Sequence, residues 1–226
     1  MSMLYPQINN GKKPDEILHA THLFLLPPKT PYGNLQAKIL LIVTRLDYVN
    51  LKIPDVYRTH TYICAQKMFS ALVLYQHLAL MEEVVYWLRV TADDIVRLAY
   101  VLSTYLDHAH WPERLCIDSI GSLLNHLDDG QSRHCCDLFR RYSDYLALLN
   151  DVSNAYKHSV VNSDSSPFGE NEPVVNALHF PRNNTKKGLE FHSVEFGKLV
   201  TGFDSFYGGV MPRIKAWGRE VCDSSS

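Results

Sequence analysis

Apolar residues recur at steps of three and four over much of the chain, which is the spacing of one face of an α-helix. The segment 79–106 shows this period at Val85, Leu88, Ala92, Ile95, Val96 and Ala99. The same period marks 57–76 and 132–158. A shorter apolar run at 39–43 suits a buried helix or a strand, and the cap signal of Asn34 favours a helix. The pattern predicts a bundle of about five main helices.

The last third of the chain contains two stretches with the character of β-strands. Val174–Phe180 and Leu189–Phe196 carry this signal, and the proline, asparagine, lysine and glycine residues between them indicate a turn. A final amphipathic segment follows and runs to about Ala216. The predicted fold class is therefore mainly all-α, a helical bundle with a short β-hairpin around 174–196 before the C-terminal helix.

Prolines interrupt the beginning of the chain and set the predicted domain boundaries. They stand at Pro6, Pro14, Pro27, Pro28 and Pro31. Proline breaks regular structure in most positions, so residues 1–33 are predicted to be irregular. A helical domain is predicted over 34–220, followed by a loose tail at 221–226.

Composition and charge narrow the classes of function. The 226 residues are 46% apolar, and the net charge is −2 with a pI of about 6.6, which argues against a broad basic face for duplex DNA. A small local basic site remains open. No apolar run approaches the roughly 20 residues of a membrane span. The chain has five cysteines but no CxxC pair and no secretory signal, so we expect a cytoplasmic protein that does not enter a membrane.

The most informative polar residues lie at the end of the predicted helix 132–158. Asn150, Asn154 and His158 are four residues apart, and Asp151 is seven residues before His158. Positions with this spacing share one face of a helix. They form a polar stripe on a segment otherwise rich in leucine and tyrosine, and Lys157 stands beside its end.

The ending Asn154-Ala-Tyr-Lys157-His158, followed by a loop, a small hairpin and a last helix, resembles the HEPN superfamily of α-helical bundles. The resemblance covers roughly 57–158 and, more loosely, the C-terminal third. Many members of the superfamily are metal-independent ribonucleases of toxin and antiviral systems, and others are inactive binding or scaffold modules. Members usually pair two motifs across a dimer, so the resemblance implies a homodimer.

The chain departs from the family motif at its arginine. That motif has an arginine, a polar residue and a histidine, with four to six residues between the arginine and the histidine. Counting back from His158 gives Ser153, Val152 or Asp151, none of which is basic. Arg140 shares a face with His158 but stands about 27 Å away along the helix axis. Arg89, on a charged stripe of the segment 79–106, is the candidate for the missing cation if that stripe faces inward.

RNA cleavage without a metal needs a group that moves the proton of the 2′-hydroxyl and a cation that stabilises the phosphorane. His158 would supply the acid or base, since the ordinary pKa of histidine is close to neutral. Asn150, Asp151, Asn154, Lys157 and Arg89 would then bind or orient the substrate. The alternative is purely structural. Lysine and histidine at a helix C-terminus are favoured by the helix dipole and can bond the last carbonyls.

Two functions follow from these alternatives. The first is a non-catalytic binding or interaction module, whose partner is RNA, a protein or a second copy of the chain. The second is a metal-independent endoribonuclease that uses His158. The missing arginine favours the first. No cofactor is expected, and no metal either, because the histidines and cysteines around His108 and His110 match no closed zinc pattern. A metalloenzyme built on these two histidines ranks behind both functions.

Overall fold

The computed structural model describes residues 5–11, 24–66, 70–128, 132–158, 171–179 and 190–224, with only the backbone of the terminal residues His158 and His179. Helices make up 72% of this part of the chain. The predicted fold class is confirmed: the protein is a mainly α-helical bundle with a two-stranded antiparallel hairpin directly before its last helix.

The described ranges contain six helices and two strands. In chain order they are α1 (Leu35–Ala65), α2 (Ala71–His108), α3 (Ile120–His126), α4 (Arg133–Arg140), α5 (Ser143–His158), β1 (Val174–His179), β2 (Glu190–Glu195) and α6 (Phe196–Ser224). None of these helices combines the length and the apolar character that crossing a bilayer requires.

Helix α1 continues through a proline. Pro54 lies inside it, although proline removes one backbone hydrogen bond and usually ends or kinks a helix. Ile53, directly before it, and Val56, two residues after it, are wholly buried. Burial of this face stabilises the helical path by more than a single lost hydrogen bond costs.

The predicted helix 132–158 is two helices in the structure. A turn at Arg141 and Tyr142 separates α4 from α5, and the amide of Tyr142 donates to the carbonyl of Phe139 at 2.8 Å. This bond spans three residues rather than four, so it closes α4 with a tightened last turn. Phe139 before the turn and Leu146 after it are both wholly buried.

The hairpin pairs Val174 with Glu195 and His179 with Glu190, in agreement with its predicted position. The turn between the strands lies outside the described residues. Strand β2 leads directly into α6, whose first amide, that of Phe196, donates to the carbonyl of Pro173 at 2.8 Å. Helix α6 extends to Ser224 with Val221 wholly buried, so residues 221–224 continue the helix where a loose tail was expected.

The chain divides into two compact units. Unit 1 comprises residues up to Ile8, Tyr48–Arg89 and Leu148–Phe203, and unit 2 comprises Asn9–Asp47, Val90–Ala147 and the chain from Asp204. The wholly buried core of unit 1 includes Ile53, Val56, Ile63, Val84, Leu88, Leu149, Val152, Val175, Phe196 and Phe203. That of unit 2 includes Ile39, Ile42, Val43, Leu46, Ile95, Val96, Phe139, Leu146, Phe206, Tyr207, Val210 and Ile214.

The described stretches 5–11 and 24–33 contain no helix, yet they contribute to the cores. In unit 1, Ile8 is buried, and its backbone exchanges two hydrogen bonds with the side chain of Asn50, at 2.9 and 2.8 Å. In unit 2, Phe24 and Leu26 are buried, and the amide of Leu26 donates to Gln36 at 2.9 Å.

Candidate functional site

The polar stripe of α5 lies at the margin of the core of unit 1. Leu149, Val152 and Ala155 on the same helix are buried, whereas Asn150, Asp151 and Asn154 are half-buried. Lys157 is exposed. The side chain of His158, the predicted catalytic residue, lies outside the described part of the chain. The helix therefore buries its apolar face and presents the amides and the carboxylate of the stripe beside it.

Arg89 contacts this stripe. Its side chain is on α2, and the residue is only 7% exposed. The Nη2 atom of Arg89 donates to Oδ1 of Asn150 at 3.0 Å. The Nδ2 atom of Asn150 donates in turn to Oδ1 of Asp151 at 3.3 Å. Three of the six predicted site residues thus form one hydrogen-bonded chain in unit 1.

This chain has an electrostatic cause. A buried guanidinium ion is costly unless its N–H groups are hydrogen-bonded, and a half-buried carboxylate is stabilised by donors. The side-chain amide of Asn150 bridges the two groups, because its oxygen accepts from Nη2 of Arg89 and its nitrogen donates to Asp151. The amide fixes the orientation of both charged groups.

The hairpin adds two residues that the sequence did not point to. Glu190 and His192 alternate along β2 and therefore face the same side of the strand. The Nε2 atom of His192 lies 3.9 Å from Oδ2 of Asp151, and both side chains are about one-fifth exposed. The only available signal was the Glu-Phe-His alternation in a strand. Its approach to α5 depends on a long-range contact that no local pattern encodes.

Asp151, Glu190 and His192 could hold a divalent cation. One ligand atom from each lies within 4.8 Å of the others, and theirs is the only group of at least three such side chains among the described residues. Two carboxylates and an imidazole suit zinc, manganese or iron. The amide of Asn150 would orient the Asp151 carboxylate from outside such a site.

The residues around His108 form no comparable group in the described part of unit 2. The rings of His108 and His110 stack with their centroids 5.7 Å apart. The neighbouring carboxylate of Asp107 accepts a hydrogen bond from Nδ1 of His134 at 2.6 Å. These side chains therefore contact one another in two separate pairs, one by ring stacking and one by a hydrogen bond.

A second polar cluster lies in unit 1 and was also missed from the sequence. His60 and His77 are buried, with ring centroids 5.8 Å apart. The Nδ1 atom of His77 is 2.8 Å from the hydroxyl of Thr59, and Nε2 of His60 is 3.6 Å from the sulfur of Cys64. Burial, with a further contribution from the charge of His60, lowers the pKa of His77 to about 4. His77 is therefore neutral at pH 7.

Comparisons with known proteins do not extend this picture. No family model matches the sequence, and no curated protein and no solved structure matches it either. The resemblance to the HEPN superfamily accordingly rests on the ending of α5 and on the order of the elements that follow it.

Proposed function

We propose that the chain is a HEPN-like helical module that binds a partner without catalysing a reaction. The observation that carries the proposal is the hydrogen bond from buried Arg89 to Asn150, which is itself bonded to Asp151. The cation that would have replaced the family arginine is thereby engaged in a network within the protein.

The charges beside this network also oppose phosphate chemistry. A phosphorane needs cations directed at its oxygens. The carboxylates of Asp151 and Glu190 lie instead in one cluster with His192. Like charges repel at short range, so two carboxylates disfavour an RNA phosphate at this position.

The surface of unit 1 suits a binding role. Its exposed large apolar side chains include Leu51, Tyr62, Leu72, Tyr75, Tyr86 and Phe191. Aromatic side chains are enriched in protein interfaces, where a partner covers them. A second copy of the chain is the first partner to test, because HEPN proteins usually pair as dimers.

A metal-independent endoribonuclease is the second candidate. It is favoured by the position of Arg89, which contacts the same polar stripe of α5 that ends at His158. In this alternative, His158 moves the proton of the 2′-hydroxyl, and Arg89 leaves Asn150 to meet the phosphate. Asn154 and Lys157 would bind the RNA.

One experiment separates the two candidates. Single-stranded RNA is incubated in EDTA with the wild-type protein, with His158→Ala and with His110→Ala, a control at an exposed histidine of unit 2. The binding module is expected to leave the RNA intact in all three samples. EDTA removes any cation held by the cluster of Asp151, Glu190 and His192, so that only metal-independent cleavage remains.

Cleavage that is lost in His158→Ala, is kept in His110→Ala and leaves cyclic phosphate ends would establish the ribonuclease and end the first proposal. Sedimentation equilibrium and RNA anisotropy in the same buffer test the binding role directly. A dimer or an RNA complex is expected. A protein that stays monomeric at high concentration and binds no RNA would contradict a module of either kind.

A further inference from the structure

A cavity of about 390 Å³ lies in unit 2, beside α4 and α6. The side chains that line it include Arg141, Arg213, Trp217, His134, Asp137 and Leu138. Ligand pockets commonly measure about 300–1,000 Å³, so this one has room for a small molecule only. None of these residues belongs to the polar stripe of α5.

Both arginines lie across aromatic rings. The Cζ atom of Arg213 is 5.5 Å from the centroid of Trp217, and that of Arg141 is 4.6 Å from the centroid of Tyr142. A guanidinium ion held flat against a ring keeps its N–H edge available for hydrogen bonds. The rings therefore attract two guanidinium ions and help to hold them at one cavity.

Neither of these two arginines forms an ion pair with a carboxylate among the described residues. The acidic group at the cavity, Asp137, lies 3.6 Å from Arg133 and 3.7 Å from Arg140, so cations of α4 already balance its charge. His134 donates to Asp107. The uncompensated charge at the cavity is positive.

Gly209 makes the position of Arg141 possible. A Cβ atom at this point of α6 would overlap the hydroxyl of Tyr142 and the guanidinium of Arg141. Any other residue would displace at least one of these two groups. Gly209, the ring of Tyr142 and the guanidinium of Arg141 are thus packed closely together at the cavity.

We propose that this cavity binds a terminal phosphate group, as found on a small phosphate monoester or at the 5′ end of an RNA. Two guanidinium ions match the oxygens of a phosphate, to which arginine donates in pairs. A terminal phosphate carries about two negative charges at neutral pH, which equals the uncompensated charge of Arg141 and Arg213. The inference is independent of the proposed function, because it rests on other residues in the other unit.

The test is a calorimetric titration of the full chain with inorganic phosphate, AMP and adenosine at constant ionic strength. Phosphate and AMP are expected to bind and adenosine is not. Arg141→Gln and Arg213→Gln should each weaken binding of AMP by about tenfold or more, since each removes charge-assisted hydrogen bonds. Arg114→Gln removes the same charge at an exposed position of unit 2 that does not line the cavity, and it is the matched control, expected to change affinity by less than about twofold.

Two results would overturn the proposal. One is the absence of heat from phosphate and AMP at millimolar concentration. The other is an equal loss in Arg114→Gln, which would indicate attraction by net charge alone. Circular dichroism checks the fold of each variant, and Arg141→Lys serves if the glutamine variant does not fold, because lysine keeps the charge and loses the paired geometry.

RNA oligonucleotides with and without a 5′ phosphate show whether the bound phosphate belongs to an RNA end or to a small molecule. Tighter binding of the phosphorylated oligonucleotide than of AMP assigns the cavity to an RNA end. Binding of AMP with no preference between the two oligonucleotides assigns it to a small molecule.

Discussion

At the scale of single residues, His77 couples the stability of the protein to pH. Its pKa of about 4 in the folded chain lies below the ordinary value of 6.5, because burial disfavours the imidazolium ion and His60 adds to that effect. Between these two values the unfolded chain binds a proton that the folded chain does not. The free energy of unfolding therefore falls as the pH falls from about 6.5 to about 4, by roughly 3 kcal/mol at the lower limit.

Substitution of this histidine should remove that dependence. His77→Asn keeps a polar group near the Thr59 hydroxyl but cannot take up a proton. Its unfolding free energy, measured with urea at a series of pH values, should change less than that of the wild type between pH 6.5 and pH 4. His110→Asn, at an exposed position, should retain the wild-type dependence. Parallel curves for the wild type and His77→Asn would contradict the assignment.

The sequence indicated part of the candidate site at this scale. Arg89 could be picked out because it stands on a charged stripe of a helix that is otherwise apolar. Asn150 and Asp151 could be picked out because they share a face of their own helix. His192 could not, since its place beside Asp151 depends on how a hairpin packs against a helix. The buried pair of His60 and His77 gave no signal, because each looks like an isolated helical histidine.

At the scale of secondary-structure elements, helix α6 contains two adjacent glycines with opposite surroundings. A Cβ atom at Gly208 would meet nothing within 4 Å, whereas one at Gly209 would overlap Arg141 and Tyr142. Gly208→Ala should stabilise the protein by about 0.5–1 kcal/mol, because alanine loses less backbone freedom in a helix.

Gly209→Ala should instead destabilise it by about 1–3 kcal/mol through overpacking. Tyr142 cannot move without cost, since its ring packs edge-on against Phe206 at 5.6 Å. Urea denaturation of the two variants side by side measures the difference. Equal effects at the two positions would show that Tyr142 and Arg141 adapt freely.

Helices and strands could be predicted where the spacing of apolar residues within the segment itself determines them. The hairpin and most of α2 follow from alternation and from the helical period, whereas the helical segment predicted over 57–76 is divided between the end of α1 at Ala65 and the start of α2 at Ala71. The continuation of α1 through Pro54 and the break before α5 do not follow from these patterns, because each depends on which neighbouring side chains are buried. The prediction of a loose tail was wrong for residues 221–224 for the same reason, since the burial of Val221 stabilises the last turns of α6.

At the scale of the whole molecule, the charge balance predicts weak binding to duplex DNA. The net charge is −2, and affinity for a duplex derives mainly from phosphate contacts made by many cations. The dissociation constant for a labelled duplex at physiological salt should exceed about 100 μM by anisotropy. Micromolar binding with a steep dependence on salt would reveal a basic surface that the net charge conceals.

The fold class could be predicted at this scale, because apolar residues recur with the helical period over most of the chain. The division into two units could not. Each unit collects three separate stretches of sequence. One boundary follows Ile8, and the other four fall within helices α1, α2, α5 and α6, where composition does not change. Only contacts between distant stretches define it.

The pairing of Ile8 with the side chain of Asn50 has a practical consequence for anyone who shortens the chain. Both polar groups of this amide are hydrogen-bonded to the backbone of Ile8 alone, so both bonds of Asn50 depend on the presence of that residue. A version of the protein that begins after residue 8 would leave a donor and an acceptor of α1 unmatched at a half-buried position, and would uncover the apolar surface beneath Ile8. Trimming of the N-terminal stretch should therefore stop before Ile8, however irregular the preceding sequence looks.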